Sequence, residues 1–159
     1  MECEKNSKKS RRLILASIYE AESGHPGGAL SAIDFINVLL CDKINFERKN
    51  DRFILSKGHA APALYSAAYM NGWVPLKELS KLRKINSILQ GHPDVKSTPW
   101  AWASTGSLGQ GFSVAIGMAI AKKYQNLDHN IFVMAGDGEL QEGEVWEGAL
   151  CAAHHKLNN

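Results

Sequence analysis

The segment Gly136-Asp137-Gly138 is the strongest chemical signal in this 159-residue sequence, because it directly follows the apolar run 131–135. Such a run is typical of a buried parallel strand, and ligands of open α/β sheets bind beyond the carboxyl ends of these strands. The flanking glycines let the backbone approach a bulky anion, and the Asp137 carboxylate can hold a hard cation such as Mg²⁺ that neutralises a diphosphate. The alternative is an ordinary strand-to-loop turn, which a lone Gly-Asp-Gly would favour.

A second glycine-rich turn, residues 106–111, leads into an apolar periodic segment that begins at Phe112. The free backbone N–H groups and the positive dipole end at the start of a helix suit phosphate oxygens. The turn is not a Walker P-loop, because no Gly-Lys-Ser/Thr follows, and no convincing strand precedes it as in a dinucleotide fingerprint. Alone, it is weak evidence for a phosphate site.

Three histidines, His25, His59 and His92, lie in loops bounded by glycine or proline. Imidazole can donate to sugar hydroxyls or phosphate and can transfer protons near neutral pH. For any one of them a plain turn or surface histidine is the commoner case, whereas three together favour a catalytic role. In the predicted last helix, the side chains of His154 and His155 point about 100° apart, so packing or exposure is favoured over a shared metal ion.

Four glutamates follow the Gly-Asp-Gly segment: Glu139, Glu142, Glu144 and Glu147. They are typical of a solvated acidic face at a helix start, where the helix dipole favours negative charge. Glu142 and Glu147 could instead face a partner subunit, and the sequence leaves both interpretations open.

The order of predicted helices and strands indicates an α/β fold. Strands are predicted at 52–55 and 131–135. Helical spacing of apolar residues is found around 14–21, 33–40, 60–70, 76–85, 112–120 and 144–156, with a long loop over 90–105. Two strands are few for a doubly wound sheet, so we expect an unfinished sheet with an exposed apolar edge.

The composition excludes several classes of protein. Eighteen basic and sixteen acidic residues give a formal charge of +2, which does not indicate a nucleic-acid-binding surface. Three cysteines without Cys-x-x-Cys spacing indicate neither a disulfide framework nor a zinc site and favour the reducing cytoplasm. The apolar stretch 13–18 is too short for a signal-peptide core or a membrane span, so no membrane association is expected.

Five ordered segments, taken together, resemble the transketolase family. They are Ser23-Gly-His-Pro-Gly-Gly28, Asp51-Arg-Phe-Ile-Leu-Ser-Lys-Gly-His59, Gly91-His-Pro-Asp94, Ser104-Thr-Gly-Ser-Leu-Gly-Gln-Gly111 and Gly136-Asp-Gly-Glu-Leu-Gln-Glu-Gly143. The resemblance spans nearly the whole chain. The sequence is similar in particular to the split form of the family, whose diphosphate-binding and pyrimidine-binding domains are separate polypeptides.

The resemblance implies one domain over residues 1–159, a three-layer α/β/α thiamine-diphosphate-binding domain with a mainly parallel sheet that lacks its C-terminal part. It implies thiamine diphosphate as cofactor, Mg²⁺ or Ca²⁺ bound by Asp137, and His25, His59 and His92 around the reacting carbon. The cofactor-contacting residues implied in this way are His59, Gly106, Ser107, Leu108, Gly136, Asp137, Gly138 and Glu142.

The activity implied is that of a cytoplasmic transferase (EC 2.2.1.1-like) of the pentose phosphate pathway, which moves a two-carbon ketol unit from a ketose phosphate to an aldose phosphate. The implied partner is a C-terminal transketolase subunit in a homodimer or heterotetramer, with Glu142 and Glu147 in a carboxylate network between active sites. Because the glutamate that activates the aminopyrimidine belongs to that partner, we expect the isolated chain to be inactive.

Two departures from the family pattern lead to alternatives. The family's second metal ligand, an asparagine, lies beyond the end of this chain and is not assigned to Asn158 or Asn159. The segment Trp100-Ala101-Trp102 replaces a small residue and a glutamate and is expected to change loop packing. A non-catalytic remnant or subunit-binding fragment is therefore one alternative. The second alternative is another thiamine-diphosphate enzyme, such as a deoxyxylulose-phosphate synthase or a 2-oxo-acid dehydrogenase component. Residues 139–143 and the three histidines argue against this alternative.

Overall fold

The computed structural model describes residues 2–44 and 51–159, and the predicted connection over 44–50 lies almost wholly outside these residues. The helices are α1 (Glu2–Ala21), α2 (Pro26–Val38), α3 (Ala61–Met70), α4 (Leu76–Leu79), α5 (Gln110–Tyr124) and α6 (Gly143–His154), and the strands are β1 (Arg52–Leu55) and β2 (Ile131–Met134). A π-helical turn over Leu39–Lys43 extends α2, and 3₁₀ turns lie at Gly58–Ala60, Pro99–Ala101 and Glu139–Gln141.

The two strands of the described residues pair in parallel, with Arg52 opposite Ile131 and Leu55 opposite Met134. Before the strands begin, a carboxylate oxygen of Asp51 accepts a hydrogen bond from the Asn130 backbone N–H at 2.6 Å. Three of the four β1 residues are buried, whereas all four β2 residues are only partly buried. The partly exposed apolar strand is therefore β2.

Helices cover the sheet on two sides. Phe53 and Leu55 of β1 face a core built from α1, α2 and α3, while Ile54 points to the opposite face and packs with Ala103 and Ala115. Alternation along the strand sends successive side chains to opposite faces, so a strand buried at all three positions needs cover on both. This arrangement confirms the predicted α/β/α layering.

Helix α1 begins earlier than its apolar pattern predicts, because polar contacts hold its first half. Ser7 and Ser10 are buried, and the side-chain amide nitrogen of the buried Asn37 on α2 lies 3.2 and 3.3 Å from their hydroxyl oxygens. Hydrophobic periodicity does not detect contacts of this kind.

Two other helix boundaries differ from expectation. Helix α2 starts at Pro26, inside the segment that was expected to separate two helices, because proline is well suited to the first helical turn. Helix α4 ends at Leu79 instead of extending to residue 85, since Arg83 and Asn86 take left-handed backbone conformations and Ile85 is 93% exposed. Over the described ranges, no helix combines the length and apolar character needed to cross a bilayer.

Candidate active site

Parallel pairing brings the carboxyl ends of β1 and β2 to the same edge of the sheet. The Met134 carbonyl accepts hydrogen bonds from the backbone N–H groups of Ser56 at 3.0 Å and Lys57 at 3.4 Å. The loop that carries His59 and the Gly136-Asp137-Gly138 segment therefore leave the sheet side by side, at the strand ends where ligands of open α/β sheets bind.

The structure brings the three predicted histidines together. The rings of His25 and His59 meet edge-on with their centroids 5.5 Å apart. Gly28, in the first turn of α2, makes room for His59, because a Cβ atom placed on it would lie 3.3 Å from that imidazole. His92 packs on Gly106, where a Cβ would lie 2.9 Å from the imidazole Cγ.

The pKa values of His59 and His92 are both lowered from the ordinary histidine value. For His59 burial is the largest cause, followed by the neighbouring His25 and Lys57, with Glu139 acting in the opposite direction. For His92 burial again comes first, followed by Arg83 and His25. Both imidazoles are therefore neutral at pH 7 and can accept protons.

Backbone atoms of the glycine-rich turn 106–111 lie directly against the His59 loop. A Cβ atom placed on Gly58 would lie 2.8 Å from the backbone nitrogen of Gly106, closer than real Cβ contacts allow. Gly106 has φ +152° and Gly109 has φ +88°, conformations that favour glycine. The predicted cofactor residues Gly106, Ser107 and Leu108 thus lie in a turn shaped by glycine at both ends.

Side chains outside the predicted site hold the His92 loop. The buried hydroxyl of Tyr65 lies 2.9 Å from the Gln90 carbonyl oxygen and 3.1 Å from that of His92, and burial raises the pKa of this phenol. Asp94 accepts hydrogen bonds from the Lys96 backbone N–H and the Ser97 hydroxyl, which lower the pKa of its carboxyl. A tyrosine inside a buried, alanine-rich helix needs a polar partner, and this requirement is the sequence signal that could have revealed Tyr65.

Trp100 and Trp102, the two tryptophans expected to change the loop packing, both pack against Trp73. The Trp73 ring centroid lies 5.9 Å from that of Trp100 and 5.9 Å from that of Trp102. Trp100 also meets Tyr65 edge-on at 6.1 Å. Trp100 thus contacts the same tyrosine whose hydroxyl lies beside the carbonyl oxygens of Gln90 and His92.

Asp137 and Gly138 are exposed directly beyond the end of β2, while Gly136 is buried. A Cβ atom placed on Gly138 would meet nothing within 4 Å, so the backbone there is open to a bulky ligand. Within residues 2–44 and 51–159 no cluster of three or more His, Cys, Asp or Glu could bind a metal ion. An exposed hard oxygen ligand beside open backbone fits one protein contact to a divalent cation whose other ligands come from water and a diphosphate.

Glu139 was wrongly expected to belong to a solvated acidic face. Its side chain is 1% exposed and accepts hydrogen bonds from the Ser56 hydroxyl and from the backbone N–H groups of Gly109 and Gly136, the latter two at 2.9 Å. The nearby Glu142, Glu144 and Glu147 are exposed. No spacing in the sequence distinguishes Glu139 from these neighbours, because two of its three partners, Ser56 and Gly109, come from distant segments.

Comparison with known proteins identifies the family. The sequence pattern described as "Transketolase, thiamine diphosphate binding domain" matches residues 3–159. The chain belongs to the transketolase family. The predicted resemblance is therefore confirmed.

Transketolases of two kinds are similar to this chain. One is a single subunit of the apulose-4-phosphate transketolase of Phocaeicola vulgatus, which is 37% identical over 98% of this chain and 57% of that protein. The other is the transketolase of Pongo abelii, which is 43% identical over 94% of this chain and 26% of that protein. This chain thus spans between about a quarter and somewhat more than half of the length of these relatives.

Solved transketolases share the fold. The transketolase of Campylobacter jejuni superposes with a TM-score of 0.89 at 36% identity, covering 99% of this chain and 27% of that one. The transketolase of Leishmania mexicana gives 0.86 at 32% identity, covering 96% and 25%. These likenesses confirm the predicted fold class.

Proposed function

We propose that this chain is the thiamine-diphosphate-binding subunit of a split transketolase, which transfers a two-carbon ketol unit from a ketose phosphate to an aldose phosphate. The observation that carries the proposal is the contact between the ring of His25 and that of His59, whose loop leaves the sheet beside the Gly136-Asp137-Gly138 segment, with His92 packed on the glycine-rich turn at Gly106. In a transketolase-family domain, this edge of the sheet combines side chains that can transfer protons with a glycine backbone that a bulky anion can approach closely.

Asp137 would hold the Mg²⁺ or Ca²⁺ that neutralises the diphosphate, since it is the exposed carboxylate at the end of β2. The backbone of Gly138 and the turn formed by Gly106, Ser107 and Leu108 would line the diphosphate and thiazolium region. When bound, thiamine diphosphate supplies the nucleophilic carbon for breaking and forming a carbon–carbon bond beside a carbonyl.

The three histidines would bind the ketose donor and move its protons. Neutral His59 and His92 can each accept a proton from a sugar hydroxyl and return it, because their lowered pKa values keep one ring nitrogen unprotonated at neutral pH. His25, whose ring contacts that of His59, would donate to a further hydroxyl of the same sugar. Hydroxyl recognition and proton transfer thus use the same three side chains.

The proposed activity requires a second polypeptide. Two relatives, from an apulose-4-phosphate transketolase and a 6-deoxy-6-sulfo-D-fructose transketolase, are themselves named as subunits, and matches to them cover 57% and 56% of their lengths. We infer that the partner is a C-terminal, pyrimidine-binding subunit. In the cytoplasmic assembly that the two would form, the exposed Glu142 and Glu147 face a neighbouring copy.

Calorimetric titration of thiamine diphosphate with Mg²⁺ tests the proposal, first with the chain alone and then after addition of a C-terminal transketolase subunit. We expect saturable binding in the assembly and at least about 10-fold weaker binding by Asp137→Ala, because a charged metal ligand is lost. Asp34→Ala, which removes an exposed carboxylate paired with Arg11, is the matched control. Absence of binding in both preparations, or an unchanged affinity in Asp137→Ala, would contradict the proposal.

A further inference from the structure

The buried carboxylate of Glu139 joins three segments that are distant in sequence. One oxygen, Oε1, accepts hydrogen bonds from the Ser56 hydroxyl at the end of β1 and from the Gly109 N–H at the start of α5. The other, Oε2, accepts from the Gly136 N–H at the end of β2. Ser56 and Glu139 are 83 positions apart.

Such an arrangement is stable only when all three donors are in place. A carboxylate at 1% exposure has lost its hydration, and a buried charge without partners is strongly unfavourable. Hydrogen bonds from backbone N–H groups to a carboxylate are among the stronger ones in proteins. Displacement of either glycine turn would therefore leave part of this charge without a partner.

The two glycines that bind Glu139 lie at the groups assigned to the cofactor. Gly136, which was itself expected to contact the cofactor, precedes Asp137, and Gly109 follows Leu108. Each N–H that points at Glu139 points into the protein, so Gly109 and Gly136 do not offer these donors to a phosphate oxygen. The negative carboxylate also lies at the positive dipole end of α5, where it is favoured.

We propose that Glu139 is a positioning residue, which fixes the separation between Asp137 and the turn at Ser107 and Leu108 so that both reach one metal–diphosphate group. This inference rests on the proposed function. Glu139 makes no contact with the ligand itself, and it acts through the backbone of Gly109 and Gly136.

The test combines amide NMR with cofactor titration, using the full chain in its complex with a C-terminal transketolase subunit. Glu139→Gln keeps the shape but removes the charge and one acceptor, and Glu20→Gln on the exposed face of α1 is the control. In Glu139→Gln we expect amide exchange at Gly109 and Gly136 to become about 10-fold faster or more. The free energy of one lost charge-assisted hydrogen bond corresponds to a factor of this size. We expect the Kd for thiamine diphosphate with Mg²⁺ to rise by a similar factor while circular dichroism remains that of a folded chain.

The wild-type protein supplies a second test that does not depend on the folding of a variant. Thiamine diphosphate with Mg²⁺ should shift the amide signals of Ser107, Leu108 and Asp137 while the Gly109 and Gly136 amides stay protected. Loss of that protection on binding would overturn the inference, because phosphate oxygens would then have replaced Glu139. A lower melting temperature of Glu139→Gln with unchanged Kd would also overturn it, leaving a stabilising role alone. If the wild type shows neither binding nor shifts, the proposed function fails and the positioning role fails with it.

Discussion

The backbone of Gly111, in the first turn of α5, lies directly against Ser56 at the end of β1. A Cβ atom placed on Gly111 would lie 2.7 Å from Ser56 Oγ and 2.8 Å from Ser56 Cα. Helix and strand approach this closely only because residue 111 has no side chain. The contact positions Ser56, and with it the hydrogen bond to Glu139.

We predict opposite effects for two glycine-to-alanine changes on α5. Gly111→Ala should lower the free energy of unfolding by roughly 2 kcal/mol, because overpacking against β1 exceeds the gain of about 1 kcal/mol in helix propensity. Gly117→Ala is the control: its Cβ would meet nothing within 4 Å, so it should gain about 0.5–1 kcal/mol. Urea denaturation measures both, and changes of the same sign would contradict the close contact.

Tyr65→Phe should loosen the His92 loop. The change removes the hydroxyl that lies near the carbonyl oxygens of Gln90 and His92 and should cost about 1 kcal/mol, as for a typical buried hydrogen bond. Tyr19→Phe, at a position 81% exposed, should leave the stability unchanged. Amide exchange across residues 90–92 would locate the effect, and equal protection in both variants would rule out this role for Tyr65.

Stability should fall as the pH falls from 7.5 to 5.5, partly through His59 and His92. Because their pKa values in the folded chain lie below the ordinary value of 6.5, the unfolded chain binds more protons in the interval between the two values. The free energy of unfolding therefore decreases with acidification through this interval. Urea denaturation at several pH values should show a smaller slope for His92→Gln than for the wild type.

The control for this pH effect is His154→Gln, which removes an exposed imidazole of α6. Its pH slope should match that of the wild type. If His92→Gln and the wild type also share one slope, the lowered pKa of His92 does not contribute to stability.

We predict a separate effect of Lys122 on stability at alkaline pH. Its side chain is 4% exposed, its Nζ has no hydrogen-bond partner among the described residues, and burial lowers its pKa to about 8, with Asp51 opposing the shift. Between about pH 8 and the ordinary value of 10.5 the unfolded chain binds the additional proton, so stability rises with pH in this interval.

In Lys122→Met this rise should be absent. Urea denaturation between pH 7.5 and 9.5 would compare the variant with the wild type and with Lys8→Met, which removes an exposed lysine of α1. A wild-type slope in Lys122→Met would show that the amine is not the titrating group.

The sequence predicts most of the fold because its helices and strands carry strong local patterns. Strand β1 matches its predicted boundaries, and β2 differs by one residue. Helix α4 is shorter than its leucine spacing indicates, since Arg83 takes a left-handed conformation that its residue type rarely adopts and that depends on its surroundings. The local sequence pattern thus gave a wrong helix boundary where tertiary contacts determine the backbone conformation.

In the candidate site, too, local sequence motifs predicted some residues, whereas the role of another depends on tertiary contacts. His25, His59 and His92 stand in recognisable motifs, and the structure places them together. Glu139 stands in a motif too, but its burial depends on donors that come from the ends of both strands and from the start of α5. Partners so far apart in sequence leave no periodicity by which one glutamate among four could be recognised.

The parallel pairing of β1 with β2 also sets an order of events during protein synthesis. Asp51 and Asn130, which bond to each other just before the two strands begin, are 79 positions apart. At a translation rate of roughly 5–20 residues per second, β1 waits about 4 to 16 seconds for its neighbour. In that time α1, α2 and α3 can cover one face of β1, but Ile54 on the other face has no cover before α5 is made. The nascent chain therefore leaves the apolar side chain of Ile54 uncovered for seconds, until α5 has been synthesised.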